Sequence, residues 1–318
     1  MRAVQIVTLD GPKAVEVRDV PAPDPGEHVL VEVRAAGLNF PDLLQTRGLY
    51  QYEPERPYTL GSEVAGVVLA APEGADVRVG DRVAAFCGTG GAAEQVAVSP
   101  DMVFPLPDDV SFTAGAAMPM NYLTAHFALR VRTELKPGQT VLVHGAAGGV
   151  GTAVTQLATA LGAHVIAVVS SEAKAEIARR AGATDTVAVE GFKDAVQELT
   201  GGRGVDLVVD PVGGDRFTDS LRSLAPFGKL LVVGFTAGEI PTVKVNRLLL
   251  NNIDVVGVGW GAFAFDRPGY AVDQWNQLLP HMDRLIPLVD VVLPLEQAAD
   301  GLVRIDERRV LGKVVLEP

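Results

Sequence analysis

The chain has 318 residues, of which 48% are hydrophobic and 21% charged, a composition that suits a globular protein with a large core. Its 27 basic and 39 acidic side chains leave a formal charge of −12, a field that repels nucleic acid and anionic membrane surfaces. One cysteine, Cys87, can form no internal disulfide and cannot build a structural zinc site, so a reducing compartment is compatible. No apolar run approaches the roughly 20 residues that span a bilayer. The first residues lack the basic-then-apolar layout of a secretion signal. A cytoplasmic protein with no nucleic-acid or membrane partner is expected.

In chain order, the N-terminus reads as a strand, a Gly-Pro turn and a second strand. Residues 29–38, 62–71, 81–86 and 93–99 are further strand candidates, divided by Pro-Gly and Gly-Asp punctuation. The first hundred or so residues thus predict a mostly β unit. From about Met120 the texture changes. A helix is expected over 121–131. Strands over 141–145, 164–170, near Val187, and over 205–210, 229–234 and 253–258 then alternate with helices. These helices cover the residues after the first strand, 172–181, 192–200 and 216–224. Continuous apolar strands alternating with helices predict a parallel sheet covered on both faces. From about Gly259 the tail carries a helix near 271–282 and a closing strand at 312–316, and is expected to complete the first unit. The predicted division is therefore 1–120, 121–258 and 259–318, with a doubly wound domain inserted into a β domain.

The most informative stretch is VLVHGAAGGVGTAVTQLATALGA, residues 141–163. An apolar strand runs into a glycine-rich turn and then directly into a helix. Gly148, Gly149 and Gly151 remove side chains where backbone comes close to something bulky, and the amides around Val150 open the helix. Those amides and the helix dipole favour a negative charge, and a dinucleotide pyrophosphate fits this pattern. An acidic residue that binds an adenine ribose is expected about 20 residues further on, at the end of the second strand. That position is Ser170. Its hydroxyl does not repel a 2′-phosphate, and Lys174, one turn into the next helix, is able to reach one. The pattern favours NADPH over NADH. Glu172 lies close by and argues the other way, and Lys174 is equally readable as a solvated surface lysine.

The chain resembles the zinc-independent quinone oxidoreductases (zeta-crystallin-like) of the medium-chain dehydrogenase/reductase superfamily. The resemblance rests on GLNFPDLLQTRGLY (37–50), GSEVAGVV (61–68), VGDRVAAF (79–86), AAMPMNYLTAHFAL (116–129), VLVHGAAGGVG (141–151), VDPVGG (209–214), LLVVGF (230–235) and GKVVLEP (312–318). It implies an α/β fold: a GroES-like, mostly β catalytic domain plus a doubly wound, parallel-sheet Rossmann domain. Zinc-dependent relatives carry a cysteine and a Gly-His-Glu where this chain has Asn39 and Ser62, in GLNFPD and GSE. Neither is a good zinc ligand, and the four-cysteine structural lobe is also missing. No metal is expected. Without a Lewis acid to stabilise an alkoxide, reduction of an already electrophilic π-system is favoured over alcohol oxidation.

The resemblance further implies an NADPH-dependent reductase. Hydride would move to a quinone, or to the β-carbon of an α,β-unsaturated carbonyl compound, in an interdomain cleft. Tyr50, in RGLY, is the candidate to polarise a carbonyl or donate a proton, with lid packing as the alternative and Tyr52 as a nearby competitor. Asn39 is the second catalytic candidate, near the nicotinamide, unless it is only a turn or cap residue. Asp42 reads as a stabiliser of the local helix start. Arg47 reads as its partner or as a surface residue. Thr124, otherwise a capping or helix-packing residue, Val212, Gly234, Phe235 and Val258 complete the expected cofactor contacts, with Arg308, or Arg309 beside it, on the 2′-phosphate. Val189 stands where many relatives have a phosphate-contacting tyrosine, a departure from the family pattern. His126 and His144, in apolar settings, read as packing residues. The resemblance also implies a homodimer paired through the strand 253–258. An enoyl- or acryloyl-thioester reductase is the alternative enzyme, and a non-catalytic NADPH-binding protein the alternative of another class.

Overall fold

A computed structural model describes residues 1–318. In chain order the strands are β1 (Arg2–Ile6), β2 (Val15–Asp19), β3 (Val29–Leu38), β4 (Tyr58–Thr59), β5 (Glu63–Ala70), β6 (Arg82–Phe86), β7 (Gln95–Val98) and β8 (Val103–Pro105). The alternating region supplies β9 (Thr140–Val143), β10 (His164–Val169), β11 (Asp185–Ala188), β12 (Val205–Asp210), β13 (Leu224–Val232) and β14 (Asp254–Gly257). Two strands close the chain, β15 (Val289–Pro294) and β16 (Lys313–Glu317). No helix is long and apolar enough to cross a membrane.

The chain divides into two compact units. The first comprises Met1–Asn121, Arg267–Gln277 and Pro287–Pro318. Its main sheet runs β15-β16-β3-β5-β6-β8, with β7 also paired to β3, and a smaller sheet runs β2-β1-β4. The long strand β3 explains this centre. Val29, Val31 and Val33 point inward while Leu30, Glu32 and Arg34 alternate outward. From Ala35 to Leu38 every residue is buried, so this end of the strand is covered on both faces. β3 pairs antiparallel with β16 on one side and β5 on the other, aligning Leu38 with Val314 and Gly37 with Glu63. Residues at this end of three adjacent strands therefore meet.

The second unit comprises Tyr122–Asp266 and Leu278–Ile286. Its sheet is entirely parallel, in the order β11-β10-β9-β12-β13-β14. The order reverses at β9, where the chain moves from the β10–β11 side to the β12–β14 side; in such open sheets, ligands bind beyond the carboxyl ends near the switch point. Leu142, Ile166, Val168, Val208 and Leu230 form its core with Phe192, Val196, Phe217 and Leu221 from the covering helices.

The tail divides more finely than its sequence indicates. Residues 259–266 and 278–286 belong to the second unit. Phe263 packs on Phe127 with ring centroids 5.2 Å apart, and Gln156 Nε2 donates to the Ile286 carbonyl at 2.7 Å. Gln156 Oε1 accepts from the Tyr122 hydroxyl at 2.5 Å, so this buried glutamine ties three segments of the unit together. The helix expected over 121–131 is an α-helix only over Pro119–His126 and continues as a π-helical stretch over Phe127–Arg132.

Candidate active site

In the second unit, the glycine-rich turn leaves the end of β9. Gly148 caps the helix Gly149–Ala160, which carries no acidic residue in its first turn. The first backbone N–H groups of this 12-residue helix have no intrahelical acceptor, so its start favours an anion. The two informative glycines differ in what they make room for. A Cβ on Gly148 would have only the Gly145 carbonyl near it, at 3.4 Å, so this backbone stays approachable. A Cβ on Gly151 would lie 2.2 Å from the Gly145 carbonyl oxygen and 2.7 Å from Ala146 Cα. The bulky neighbour at Gly151 is thus the chain's own turn, which packs against the helix.

Ser170 (after β10), Val212 (after β12), Gly234 and Phe235 (after β13) and Val258 (after β14) follow successive strand ends on the carboxyl edge of the same parallel sheet. Ser170 is exposed, and Lys174 Nζ donates to its hydroxyl at 3.2 Å. Ser171 caps the helix Glu172–Arg180 by accepting from the Lys174 amide, which fixes where the lysine starts. The Glu172 carboxylate accepts from Arg179 at 2.7 Å. Its charge is therefore directed to an arginine on its own helix. Asp210 folds the loop after β12: Oδ1 accepts from the amides of Val212 and Gly213 at 2.8 and 2.9 Å. Thr124 is buried on the helix Pro119–His126. His144 is fully buried, stacks edge-on against Phe192 and bonds Ser220 Oγ at 2.8 Å. Burial pushes its pKa down to about 4, so the ring is neutral near pH 7, as a packing residue requires.

The first unit holds a buried polar cluster where β16, β3 and β5 meet. Asn39 follows β3, Ser62 and Glu63 open β5, and Lys313 opens β16. Glu63 Oε1 accepts from Asn39 Nδ2 at 2.8 Å and from Lys313 Nζ at 2.5 Å, while Oε2 accepts from the Met120 amide at 2.8 Å. Lys313 Nζ also donates to Asn39 Oδ1 at 2.7 Å. Asn39 Nδ2 donates its other proton to Ser62 Oγ at 3.2 Å. Gly37 makes the room: a Cβ there would sit 2.7 Å from Glu63 Oε1 and 2.3 Å from the Ala116 carbonyl. Both N–H donors of Asn39 are committed inside the protein, and its Oδ1 accepts from Lys313.

Asp42, at the third position of the helix Phe40–Gln45, accepts from the Asn39 amide at 2.7 Å. Ser62 Oγ lies 3.4 Å from the same oxygen, Oδ2, while Oδ1 is buried without a partner. Burial pushes the Asp42 pKa from 3.8 up to about 7. The Asn39 amide and Lys313 oppose the rise and Glu63 adds to it. Arg47 is not its partner; the guanidinium makes a two-bond pair with Asp306 at 3.0 and 2.7 Å, tying this helix to the helix Ala298–Asp306. Tyr50 is half-buried in the loop beyond. Burial, and then the Asp42 charge, hold its phenol above the usual range. Tyr52 is 63% exposed. The Cys87 thiol donates to the Gly61 carbonyl at 3.4 Å and is held neutral by burial. Arg308 is exposed in the turn after the helix Ala298–Asp306, at a φ of 56°.

Glu63 and Lys313 were in view in the sequence without a role. The signal was a charge at the head of each apolar run, EVAGVVLA and KVVLE, in strands whose next three residues are all buried. Two such buried charges, in the strands that flank β3, call for each other.

A GroES-like β unit with an all-parallel, doubly wound unit inserted into it defines a two-domain dehydrogenase/reductase. Residues 25–108 match the model of the alcohol dehydrogenase GroES-like domain, and residues 149–284 match that of the zinc-binding dehydrogenases. The chain is 38% identical to quinone oxidoreductase-like protein 2 of Bos taurus over 99% of this chain and 92% of that one. A solved structure of a probable oxidoreductase from Mycobacterium abscessus has 43% identity and a TM-score of 0.92, covering 100% of this chain and 99% of its own. The Escherichia coli quinone oxidoreductase, solved as a complex with NADPH, has 29% identity and a TM-score of 0.91 over 100% of both chains. The chain belongs to the quinone oxidoreductase family of the medium-chain dehydrogenases/reductases.

The name of one matching model raises zinc, and the donor set here does not fit it. Asn39 and Ser62 bond each other, Glu63 is committed to an ammonium and a backbone amide, and no three His, Cys, Asp or Glu side chains converge. The cation of this cluster is Lys313.

Proposed function

We propose that the protein is a cytoplasmic, NADPH-dependent reductase of quinones or α,β-unsaturated carbonyl compounds that works without zinc. The observation that carries the reading is the Lys313 ammonium, bonded to Glu63 and Asn39 within a buried polar cluster of the β unit. A site whose fixed positive charge is a lysine has no Lewis acid with which to hold an alkoxide, so an electrophilic π-system is the better substrate.

NADPH, when bound, supplies the hydride. The amides opening the Gly149–Ala160 helix suit its pyrophosphate, and the Ser170–Lys174 pair suits its 2′-phosphate. Arg179 supports this preference over NADH by engaging Glu172. The other expected contacts, Asn39, Thr124, Gly148, Gly149, Val150, Gly151, Val212, Gly234, Phe235, Val258 and Arg308, stand as part of the same proposal. Tyr50 is the proposed catalytic group. A phenol held above its usual pKa keeps its proton near pH 7 and so retains a donor for charge that develops on a carbonyl oxygen. The cluster around Asn39 contributes fixed geometry rather than a mobile proton.

A homodimer is part of the proposal. β14 is the edge strand of its sheet, and Leu249 and Leu250 in the preceding helix are 76% and 74% exposed, the kind of edge that proteins cover. Sedimentation as a monomer at micromolar concentration would remove it. The test of the function is a steady-state screen of NADPH oxidation against quinones, enones and enoyl thioesters, with metal analysis of the same sample. Oxidation with at least one electrophile is expected. Alcohol-dependent reduction of NAD(P)⁺ by a protein containing stoichiometric zinc would overturn the reading.

A further inference from the structure

The Asn39 amide has its two ends distinguished by charge. Its oxygen faces the Lys313 ammonium at 2.7 Å, and its nitrogen faces the Glu63 carboxylate at 2.8 Å. A flipped amide would set N–H against an ammonium and C=O against a carboxylate, losing two charge-assisted hydrogen bonds and replacing them with repulsions. Glu63 is in turn fixed by the Met120 amide on its other oxygen, so the clamp does not drift as a unit. Glu63 is fully buried and Lys313 is 4% exposed, so water competes little with these bonds. The same amino-terminal segment carries the Asp42 carboxyl on the Asn39 backbone N–H, and Ser62 Oγ bridges the Asn39 side chain to Asp42.

We propose that Lys313 is a positioning residue of this site: its ammonium, held by Glu63, clamps the Asn39 carboxamide in one orientation and with it the start of the helix that precedes the Tyr50 loop. The proposal extends the reductase reading and rests on it only for its effect on turnover. It makes the Lys313–Glu63 pair more than a fold-stabilising salt bridge. A buried ion pair can often be replaced by neutral groups of similar volume with little loss of stability, so stability alone does not account for two charges at the head of two central strands. What the charges supply is direction. With neutral neighbours the distinction between the two ends would rest on the longer bond to Ser62 Oγ, and Asn39 would turn far more readily. The Lys313 ammonium also keeps one N–H beyond its bonds to Glu63 and Asn39.

The test reads the clamp directly and turnover separately. In the unliganded wild-type protein, the Asn39 side-chain NH₂, assigned by its loss in Asn39→Asp, should give a resolved ¹⁵N-edited signal pair. Its hydrogen exchange should be about a hundredfold slower than that of exposed Asn246. Exchange as fast as that of Asn246 overturns the proposal with no substitution needed. The double variant Lys313→Met/Glu63→Gln removes both charges at nearly constant volume. Asn39 exchange should then speed up about tenfold or more. The kcat/KM for NADPH-dependent reduction of 1,4-benzoquinone should fall about tenfold or more, mainly in kcat, while the Kd for NADPH changes less than about twofold. Lys313→Arg, which keeps donors for both acceptors, should recover part of both losses. If the pair only stabilises the fold, a folded double variant keeps wild-type exchange and wild-type kcat/KM, and the proposal fails. If the wild-type protein turns over no electrophile, the reductase reading falls, and the exchange measurement still decides the clamp.

Discussion

Replacing Asp42 by asparagine should abolish a specific pH dependence of stability. The Asp42 carboxyl is fully buried, and one of its oxygens has no partner. Its pKa is therefore raised from 3.8 to about 7 on folding. A raised folded-state value means that the native chain holds a proton that the unfolded chain releases. The corresponding stability is fully present below pH 3.8 and is lost as pH rises through about 7, at about 1.4 kcal/mol per unit between those limits. Between pH 5 and pH 8 the loss amounts to about 2.5 kcal/mol. The carboxamide introduced by Asp42→Asn is isosteric with the neutral acid and retains an acceptor for the Asn39 amide, so the variant mimics the protonated state at every pH. The difference in stability between the variant and the wild type should then grow with pH in favour of the variant and level off near pH 8.

The assay can be confined to the β unit. The chain has two tryptophans, and Trp275 lies in that unit, stacked on Phe104 at 5.0 Å. In a Trp260→Phe background, urea unfolding followed by Trp275 fluorescence at pH 5, 6, 7 and 8 reports this unit alone. Subtracting the Asp42→Asn series from its parent cancels other titrations. A difference that does not change with pH, or one that grows as pH falls, would refute the argument that burial outweighs the pull of Lys313 and the Asn39 amide.

Lys174→Ala should weaken NADPH about tenfold while changing NADH little, because it removes the cation beside Ser170; fluorescence titrations with both cofactors check this, and equal losses would remove the phosphate role. Gly151→Ala should destabilise the second unit by about 1–3 kcal/mol, read by urea unfolding, because its Cβ runs into the turn; intact stability with lost cofactor binding would instead show that the space belongs to the ligand. Tyr50→Phe should lower kcat for enone reduction about tenfold or more with little change in NADPH affinity, and an unchanged kcat would return Tyr50 to lid packing.

How far the sequence carried these conclusions varies from element to element, for physical reasons. β3 was legible to the residue because alternation passing into a continuous apolar run is the pattern of a strand that enters a doubly covered sheet. The parallel strands were legible in number and order from their uniform apolar character, as was the turn after β9, but not in their bounds: the strand expected over 229–234 is Leu224–Val232. The sharing of the tail between the units was not, since Gln156–Ile286 and Phe127–Phe263 are contacts across more than a hundred residues with no local signature. The segment 289–306 was also passed over: β15 keeps only partial burial, and its apolar alternation is weak.

The candidate site divides along the same line. Strand-end positions follow from topology and can be counted along the chain, whereas hydrogen-bond valence cannot. Asn39 in isolation reads as an amide available to a ligand; only the register of β16, β3 and β5 reveals that both of its N–H groups are already engaged. The same register turns two unremarked charges into a pair. Glu63 is drawn to the end of β3 by its alignment with Gly37, which has no side chain to obstruct it, and Lys313 arrives from the opposite neighbour. The glutamate at the head of β5 is buried and needs a counter-charge. Lys313, on the strand at the other side of β3, meets that need from within the chain, and it orients the asparagine in the same stroke.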